Sequence, residues 1–282
     1  MESQTLLDRL LKQYPQAKRQ TLKRMVEAGR VRINGKRALR LKQPVAADDQ
    51  LEVSDRPNKA PSPQAGSDLS IIYEDEDLLV IDKPAGLLTS TTAREWRPTL
   101  LAKVREYVKA RQPRAVVGLI HRLDRDASGL LIFSKSDLAY RSLKTQFFHH
   151  TVVREYRAVV HGAPKPPNGR IESRLVERAD GTVRSTRDVA KGQIAISDYQ
   201  VLRTEGKKSL VRVVLQTGRK HQIRVQLAGL GNPVWGDVVY GPEKKEARLM
   251  LAATRLTVTH PGTGREMTFT AKLPDEFPLR ES

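Results

Sequence analysis

Cysteine is absent from this chain of 282 residues. That excludes disulfides, thiolate nucleophiles and cysteine-ligated metals or clusters. Long apolar runs are missing as well: no stretch reaches the roughly 18 apolar residues of a membrane-spanning helix. The opening MESQTLLDRLLKQYPQAKRQ lacks the uninterrupted apolar core of a secretory leader. A soluble, cytoplasmic protein with no membrane partner is therefore expected. Internal repeats and glycine-rich nucleotide loops are also missing. Negative charge is scarce, with 32 Asp and Glu against 50 Lys and Arg, a net charge of +18 and a pI near 10.2. Such an excess points to a polyanionic partner but says nothing of sequence preference or chemistry.

The length suits one large domain with a small companion. SDRPNKAPSPQAGSD, residues 54–68, holds three prolines and no apolar period, and reads as an exposed linker. The division is then 1–53, 54–68 and 69–282. Before the linker, Leu6, Leu7, Leu10 and Leu11 fall at helical spacing. Leu22, Met25 and Val26 repeat the pattern up to Gly29. RVRINGKRAL alternates Val31 and Ile33 with arginines and turns at Asn34-Gly35, a hairpin signal. Residues 1–53 carry 12 Lys or Arg against 6 Asp or Glu. Arg19, Lys23, Arg24, Arg30, Arg32, Lys36 and Arg37 crowd the second helix and the hairpin, as a solvated face or as an RNA-binding one. The run EAGRVRINGK resembles the small RNA-binding module first known from a ribosomal small-subunit protein. That resemblance implies phosphate contacts by these seven residues, giving affinity and orientation rather than sequence reading.

After the linker, LSIIYEDEDLLVIDKPAGLL reads as strand, acidic turn, strand and a tight turn at KPAG. Leu100, Leu101, Val104 and Val108 predict one helix. SDLAYRSLKTQF predicts another, capped by Ser136 or Asp137. Strands follow at VVREYRAVVHG and SLVRVVLQT, then a helical candidate at RKHQIRVQLAGL and a hairpin at RLTVTHPGTGREMTFTA. Strands outnumber helices without regular alternation. The fold class is therefore α+β, with a mixed, mainly antiparallel sheet preceded by a small α/β module.

HRLDRDASGLLIFSK, residues 121–135, sets His121, Arg122, Asp124, Arg125 and Asp126 against an apolar strand. The kinase catalytic loop is a poor match, because a Leu separates Arg from Asp and no DFG follows. Ser128 is not in a GxSxG elbow, which excludes the common serine-hydrolase arrangement. His149 and His150 are adjacent and would point apart, so no metal is expected. Four ordered motifs are more informative: DKPAGLL at 82–88, GLIHRLDRDASGLLIFSK at 118–135, REYRAVVHG at 154–162, and TGRKHQIRVQLAGLGNPVWGDVVYG at 217–241. Together they resemble the RluA-type pseudouridine synthases, over about residues 69–273. That family isomerises uridine to pseudouridine in ribosomal and transfer RNA.

The reaction breaks the N1–C1′ bond, turns the uracil and joins C5 to C1′, with no redox change. No cofactor is needed. One ionised carboxylate is the essential tool, either attacking C1′ or removing the C2′ proton. The resemblance places it at Asp124, with Asp126 as the rival. Burial favours a neutral carboxyl, so a neighbouring cation is wanted. Arg224 in HQIR matches the family's arginine for that task. If RKHQIRVQL is a helix, His221, Arg224 and Ala228 share a face and Ile223 and Leu227 lie on another. A period of two puts Arg154, Tyr156, Ala158 and Val160 on one side of a strand. Tyr156 matches the family's active-site tyrosine, expected to stack on the base or to help remove the C5 proton; a phenol with a pKa of about 10 is a weak base, which favours stacking. The resemblance also gives Arg122 the space vacated by the flipped uridine or a phosphate contact, Lys83 and Pro84 part of the pocket wall, and Leu251 the apolar surface under the base. His121 has no assigned role.

Some positions depart from the family pattern. Ala127 stands where Thr is frequent, Gln226 and Ala252 stand where His is common, and LLTSTT follows KPAG without His-Pro. These departures bear on RNA contacts more than on the reaction. The expected partner is RNA, with large-subunit ribosomal RNA leading and transfer RNA, or a non-catalytic RNA-binding protein of the same fold, as alternatives. Without a spare apolar stripe, a monomer is the simplest expectation.

Overall fold

Leucines one helical turn apart make the first element: α1 (Leu6–Gln13) buries Leu6 and Leu10 completely. Thr5 caps it, accepting from Asp8 N while Asp8 Oδ2 accepts from Thr5 N. The structure is a computed structural model and describes residues 4–15, 17, 19–27, 30–53, 69–91, 99–242 and 248–281, the side chains of 20, 21, 24 and 27 excepted. The expected linker, 54–68, and the helix end expected at Gly29 lie outside the described residues.

Around α1 stand β1 (Gln4–Thr5), α2 (Arg19–Glu27), β2 (Val31–Ile33), β3 (Lys36–Arg37), β4 (Pro44–Val45) and β5 (Leu51–Val53). β2 pairs with β3 and β5, and β1 with β4. Asn34 and Gly35 both take positive φ, 51° and 73°, as the tight β2–β3 turn requires. Leu22, Met25, Val26, Val31, Ala38 and Val45 complete a small separate core.

The rest of the described chain is built on one sheet of eleven strands, which takes up β6 (Ser70–Glu74), β7 (Leu78–Lys83), β8 (Gly118–Leu119), β9 (Ser128–Ser134), β10 (Val153–His161), β11 (Asn168–Glu177), β12 (Val183–Thr186), β13 (Gln193–Glu205), β14 (Lys208–Leu215), β15 (Leu251–Thr259) and β16 (Glu266–Thr270). The main order is β12-β11-β13-β14-β10-β15-β9-β7-β6, with β16 beside β15 and β8 beside β9. All pairs are antiparallel except β9 with β15. The α+β class with a mixed, mainly antiparallel sheet is thus what the chain adopts.

Around β7 and β9 both faces of the sheet are covered, which explains their near-continuous apolar runs. On one face Leu79, Ile81, Leu131 and Phe133 meet Leu100, Val104 and Val108 of α3 (Leu100–Arg111). On the other, Leu78, Val80, Leu130 and Ile132 meet Ala139 and Leu143 of α4 (Asp137–Phe148), whose cap is Ser136. α5 (Gln222–Gly229) follows β14. The strands β11, β12 and β13 were not foreseen, although RIESRLVE has a period of two: its Ile171, Ser173 and Leu175 share one side.

Candidate active site

The loop before β9 carries Asp124, and the segment after β7 fastens that loop from behind. Lys83 is fully buried and its Nζ donates to the carbonyls of Pro84, Leu87 and Arg125 at 2.8, 2.8 and 2.9 Å. Gly86 N donates to Arg125 O at 2.9 Å, and Thr89 Oγ1 to Leu123 O at 2.8 Å. Burial pushes the Lys83 ammonium down to about 8, against the pull of Asp126, Asp124 and Asp82. Lys83 and Pro84, expected in the pocket wall, lie outside the lining of the cleft described below. They act on the mount of Asp124 instead. β9 itself approaches β15 so closely that a Cβ on Gly129, at φ 109°, would stand 2.2 Å from Ala253 O. Only glycine fits there.

From the opposite side α5 presents Arg224, whose side chain is 7% exposed, to Asp124, which is 23% exposed. Arg224 Nη1 donates to Asp124 Oδ2 at 3.1 Å. A second carboxylate, overlooked in the sequence, holds the other edge of the guanidinium. Asp237 accepts from Arg224 Nε at 2.7 Å and Nη2 at 2.8 Å, and its Oδ1 also accepts from the amides of Val239 and Tyr240. Burial pushes Asp237 up, but Arg224 and the two amides hold it below the usual carboxylate range. Burial opposes the charge on Arg224, yet Asp237 first and Asp124 next raise it above the ordinary guanidinium value. The motif GDVVYG contained the signal: an acid flanked by glycine and valines is expensive to bury unless it is paired.

The helix supporting Arg224 differs from the amphipathic one expected. It begins at Gln222, with His221 outside it at φ 53°, and residues 222–227 are all buried. Two amides a turn apart anchor it. Gln222 Nε2 donates to Ile196 O and Ser197 Oγ, while Gln226 Nε2 donates to Ser173 Oγ and Ala195 O and its Oε1 accepts from Ser197 Oγ. The departure at Gln226 therefore falls on this scaffold, and Ala252, 1% exposed, falls in the core. Neither faces the cleft; Ala127 does.

A cleft of about 930 Å³ opens over Asp124. Asp124, Arg224, Tyr156, Leu251 and Arg122 all line it. Tyr156 lies on β10 between β14 and β15, opposite Val213 and Ala253, and is 6% exposed. Burial pushes its phenol up, with Arg154 opposing and Asp124 adding to the rise. Arg122 is exposed at the rim, and Leu251, 4% exposed, begins β15. Arg125 pairs with Asp126 at 2.9 Å. His121 Nε2 accepts from Ile132 N at 3.2 Å and its ring stacks on Phe147 at 4.8 Å. Burial, then Arg154 and Lys144, push it down to about 3, so it is a neutral structural group at neutral pH. His221 Nδ1 lies 2.7 Å from Tyr240 Oη. Among the described residues no group of His, Asp and Glu is placed to hold a metal.

Of the seven basic residues expected to bind RNA, Arg19, Lys23 and Lys36 are exposed and Arg30 is half-buried. The Arg24 side chain lies outside the described residues. Arg32 and Arg37 both reach Glu76, in the turn between β6 and β7, at 3.2 and 3.1 Å. These partly exposed pairs are weak, at about 0–1 kcal/mol each, so they leave both arginines available to a polyanion.

The family described as RNA pseudouridylate synthase matches residues 77–229, and the S4 domain matches residues 6–51. The chain is 34% identical to the ribosomal large subunit pseudouridine synthase D of Neisseria meningitidis serogroup A, over 95% of this chain and 75% of that protein. It is 34% identical to the Pseudomonas aeruginosa protein of the same name, over 96% and 89%. An uncharacterised RNA pseudouridine synthase of Bacillus subtilis is also 34% identical, over 92% and 87%. Among solved structures, human RNA pseudouridylate synthase domain containing 4 superposes with a TM-score of 0.63 at 26% identity, covering 74% of this chain and 90% of that one.

Proposed function

The chain belongs to the RNA pseudouridylate synthase family and carries an S4 domain, and from that premise we propose that this RNA pseudouridine synthase acts on large-subunit ribosomal RNA with Asp124 as its catalytic carboxylate. The observation carrying the site is the convergence of Asp124, Arg224 and Tyr156 on one cleft, with Arg224 bridging Asp124 to the buried Asp237. The names of the relatives from Neisseria and Pseudomonas support the ribosomal target, and so does the basic module, which suits a large folded RNA.

In this reading residues 1–53 dock structured RNA, 54–68 join the two parts, and 69–282 carry out the isomerisation in the cytoplasm as a monomer. The target uridine is taken out of its stack, at a cost of a few kcal/mol, and Arg122 at the rim enters the vacated space. Tyr156 and Leu251 sandwich the uracil. The Asp124 carboxylate then attacks C1′ or takes the C2′ proton; either route cleaves N1–C1′ and leaves the uracil free to turn. Reclosure through C5 releases the Asp124 carboxylate from C1′, or returns to C2′ the proton it had taken. C5 then loses its proton and N1 gains one by exchange with solvent, so no water is added and a second carboxylate to activate water is not required. Asp237 works through Arg224 and is a positioning residue.

The test compares RNA from cells lacking the gene with RNA from cells carrying Asp124→Asn, after treatment with a carbodiimide that marks pseudouridine. The same site or sites should vanish from large-subunit ribosomal RNA in both. Loss confined to transfer RNA overturns the target, and no loss in either strain overturns the role of Asp124 and the target together.

A further inference from the structure

Among the described residues, a buried cation of the cleft lacks an acid to neutralise it. Arg154 stands on β10 two residues before Tyr156 and is 8% exposed. Its Nε is buried without a hydrogen-bond partner, and among the described residues no carboxylate pairs with its guanidinium, which lies 5.5 Å from the centre of the Phe147 ring. Arg219 and Lys220 follow Gly218 in the loop after β14, and Lys144 of α4, His150 in the turn beyond it and Asp124 line the same cleft. His150 takes a φ of 56°, which turns the chain back at the end of α4. Burial, opposed by Tyr156 and reinforced by Arg219, lowers the pKa of Arg154.

A buried guanidinium without a counter-charge is among the costliest groups a fold can hold. Where a fold keeps one in a cleft, the counter-charge comes with the ligand. Gly218 bears on this directly, since a Cβ there would stand 2.3 Å from Arg154 Nη1. Without a side chain at 218 the loop can pack this close to Nη1, while the buried Nε is left as an unused donor. A planar fork with an unused donor fits the oxygens of a phosphodiester. Arg154 and Tyr156 share a face of β10, about 7 Å apart along the strand.

We propose that Arg154, with Arg219 and His150 beside it, seats the phosphodiester next to the flipped uridine. The seat gives the cleft its own grip on the RNA backbone, distinct from that of the N-terminal module. It rests on the reading of Asp124 and Tyr156 as the place where the uridine is received.

The probe is ribosomal RNA extracted from cells lacking the gene, and the variants are Arg154→Met, Arg154→Lys and Gly218→Ala. Pseudouridine formation is followed against RNA concentration between 50 and 200 mM salt, as roughly the range over which phosphate contacts are weighed. Arg154→Met should raise KM about tenfold with little change in kcat. It should also flatten the slope of log(kcat/KM) against log salt by about 0.7 to 0.9, the loss of one phosphate contact. Arg154→Lys should keep the slope, and Gly218→Ala should raise KM by pressing on the guanidinium. Because an unpaired buried charge is removed, the melting temperature of Arg154→Met should hold or rise by about 2–4 °C. An unchanged KM and salt slope overturns the seat, as does a fall in melting temperature accompanying the loss, which would assign Arg154 to the scaffold. Wild-type protein that forms no pseudouridine in this RNA defeats the target instead; the salt slope of direct binding to the same RNA, wild type against Arg154→Met, then decides the seat.

Discussion

Removing Asp237 is expected to cost far more stability than removing Asp124, although both carboxylates hold Arg224. Asp237 is fully buried, accepts two guanidinium hydrogen bonds at 2.7 and 2.8 Å, and accepts two backbone amides. Asp237→Ala leaves a guanidinium that is 7% exposed with Asp124 as its remaining acid among the described residues. Breaking one side of a buried pair costs about 3–5 kcal/mol, and the orphaned amides add to this, against a total stability of about 5–15 kcal/mol. At 23% exposure and with one bond to Arg224 at 3.1 Å, Asp124→Asn should cost at most about 1 kcal/mol. The assay is urea unfolding followed by circular dichroism, run beside pseudouridine formation on ribosomal RNA. Asp237→Ala should lose about 4 kcal/mol, with kcat falling and RNA affinity kept. Asp124→Asn should keep its midpoint and lose activity. An Asp237→Ala protein within about 1 kcal/mol of wild type would show that Arg224 does not depend on Asp237, and the account of the site would fail.

Three further outcomes are expected. Burial and Asp124 raise the Tyr156 phenol, against Arg154, so it stays protonated across neutral pH. The kcat profile should then show no basic limb between about pH 7 and 9.5 that disappears in Tyr156→Phe. His121 stays neutral in the fold down to about 3, whereas in the unfolded chain it protonates below about 6.5. Over that window the unfolded state binds more protons, so stability should fall as pH drops, by up to about 4 kcal/mol. His121→Asn should remove this component, and parallel urea midpoints for the two proteins from pH 6.5 to 4.5 would contradict it. Gly129→Ala forces a Cβ to 2.2 Å from Ala253 O at φ 109°, and should cost about 4 kcal/mol or prevent folding, read from the melting curve.

Much of the fold was legible because burial in these segments follows a simple period. Leu6 and Leu10, Leu100, Val104 and Val108, and the Asn34-Gly35 turn all stand where the spacing put them. The stretch from β11 to β13 was missed because its strands are solvated on one side and rich in charge, so their apolar residues are diluted. α5 was misjudged for a related reason: Gln222 and Gln226 look solvent-facing in sequence, yet satisfied hydrogen bonds let them be buried.

The sequence by itself determined the chemical inventory: a basic module, an Asp before an apolar strand, an Arg in HQIR and a Tyr in REYR, in a fixed order. Composition and periodicity act over a few residues, so they could carry that much. Only the tertiary structure decided which charges share a partner, because that depends on strands distant in sequence. Asp237 reaches Arg224 through the turn beyond α5, Lys83 holds the Asp124 loop, and Arg154 is enclosed with no acid paired to it among the described residues. Whether a charge is spent on the fold or left for a substrate is settled by what surrounds it in three dimensions, and no spacing rule encodes that.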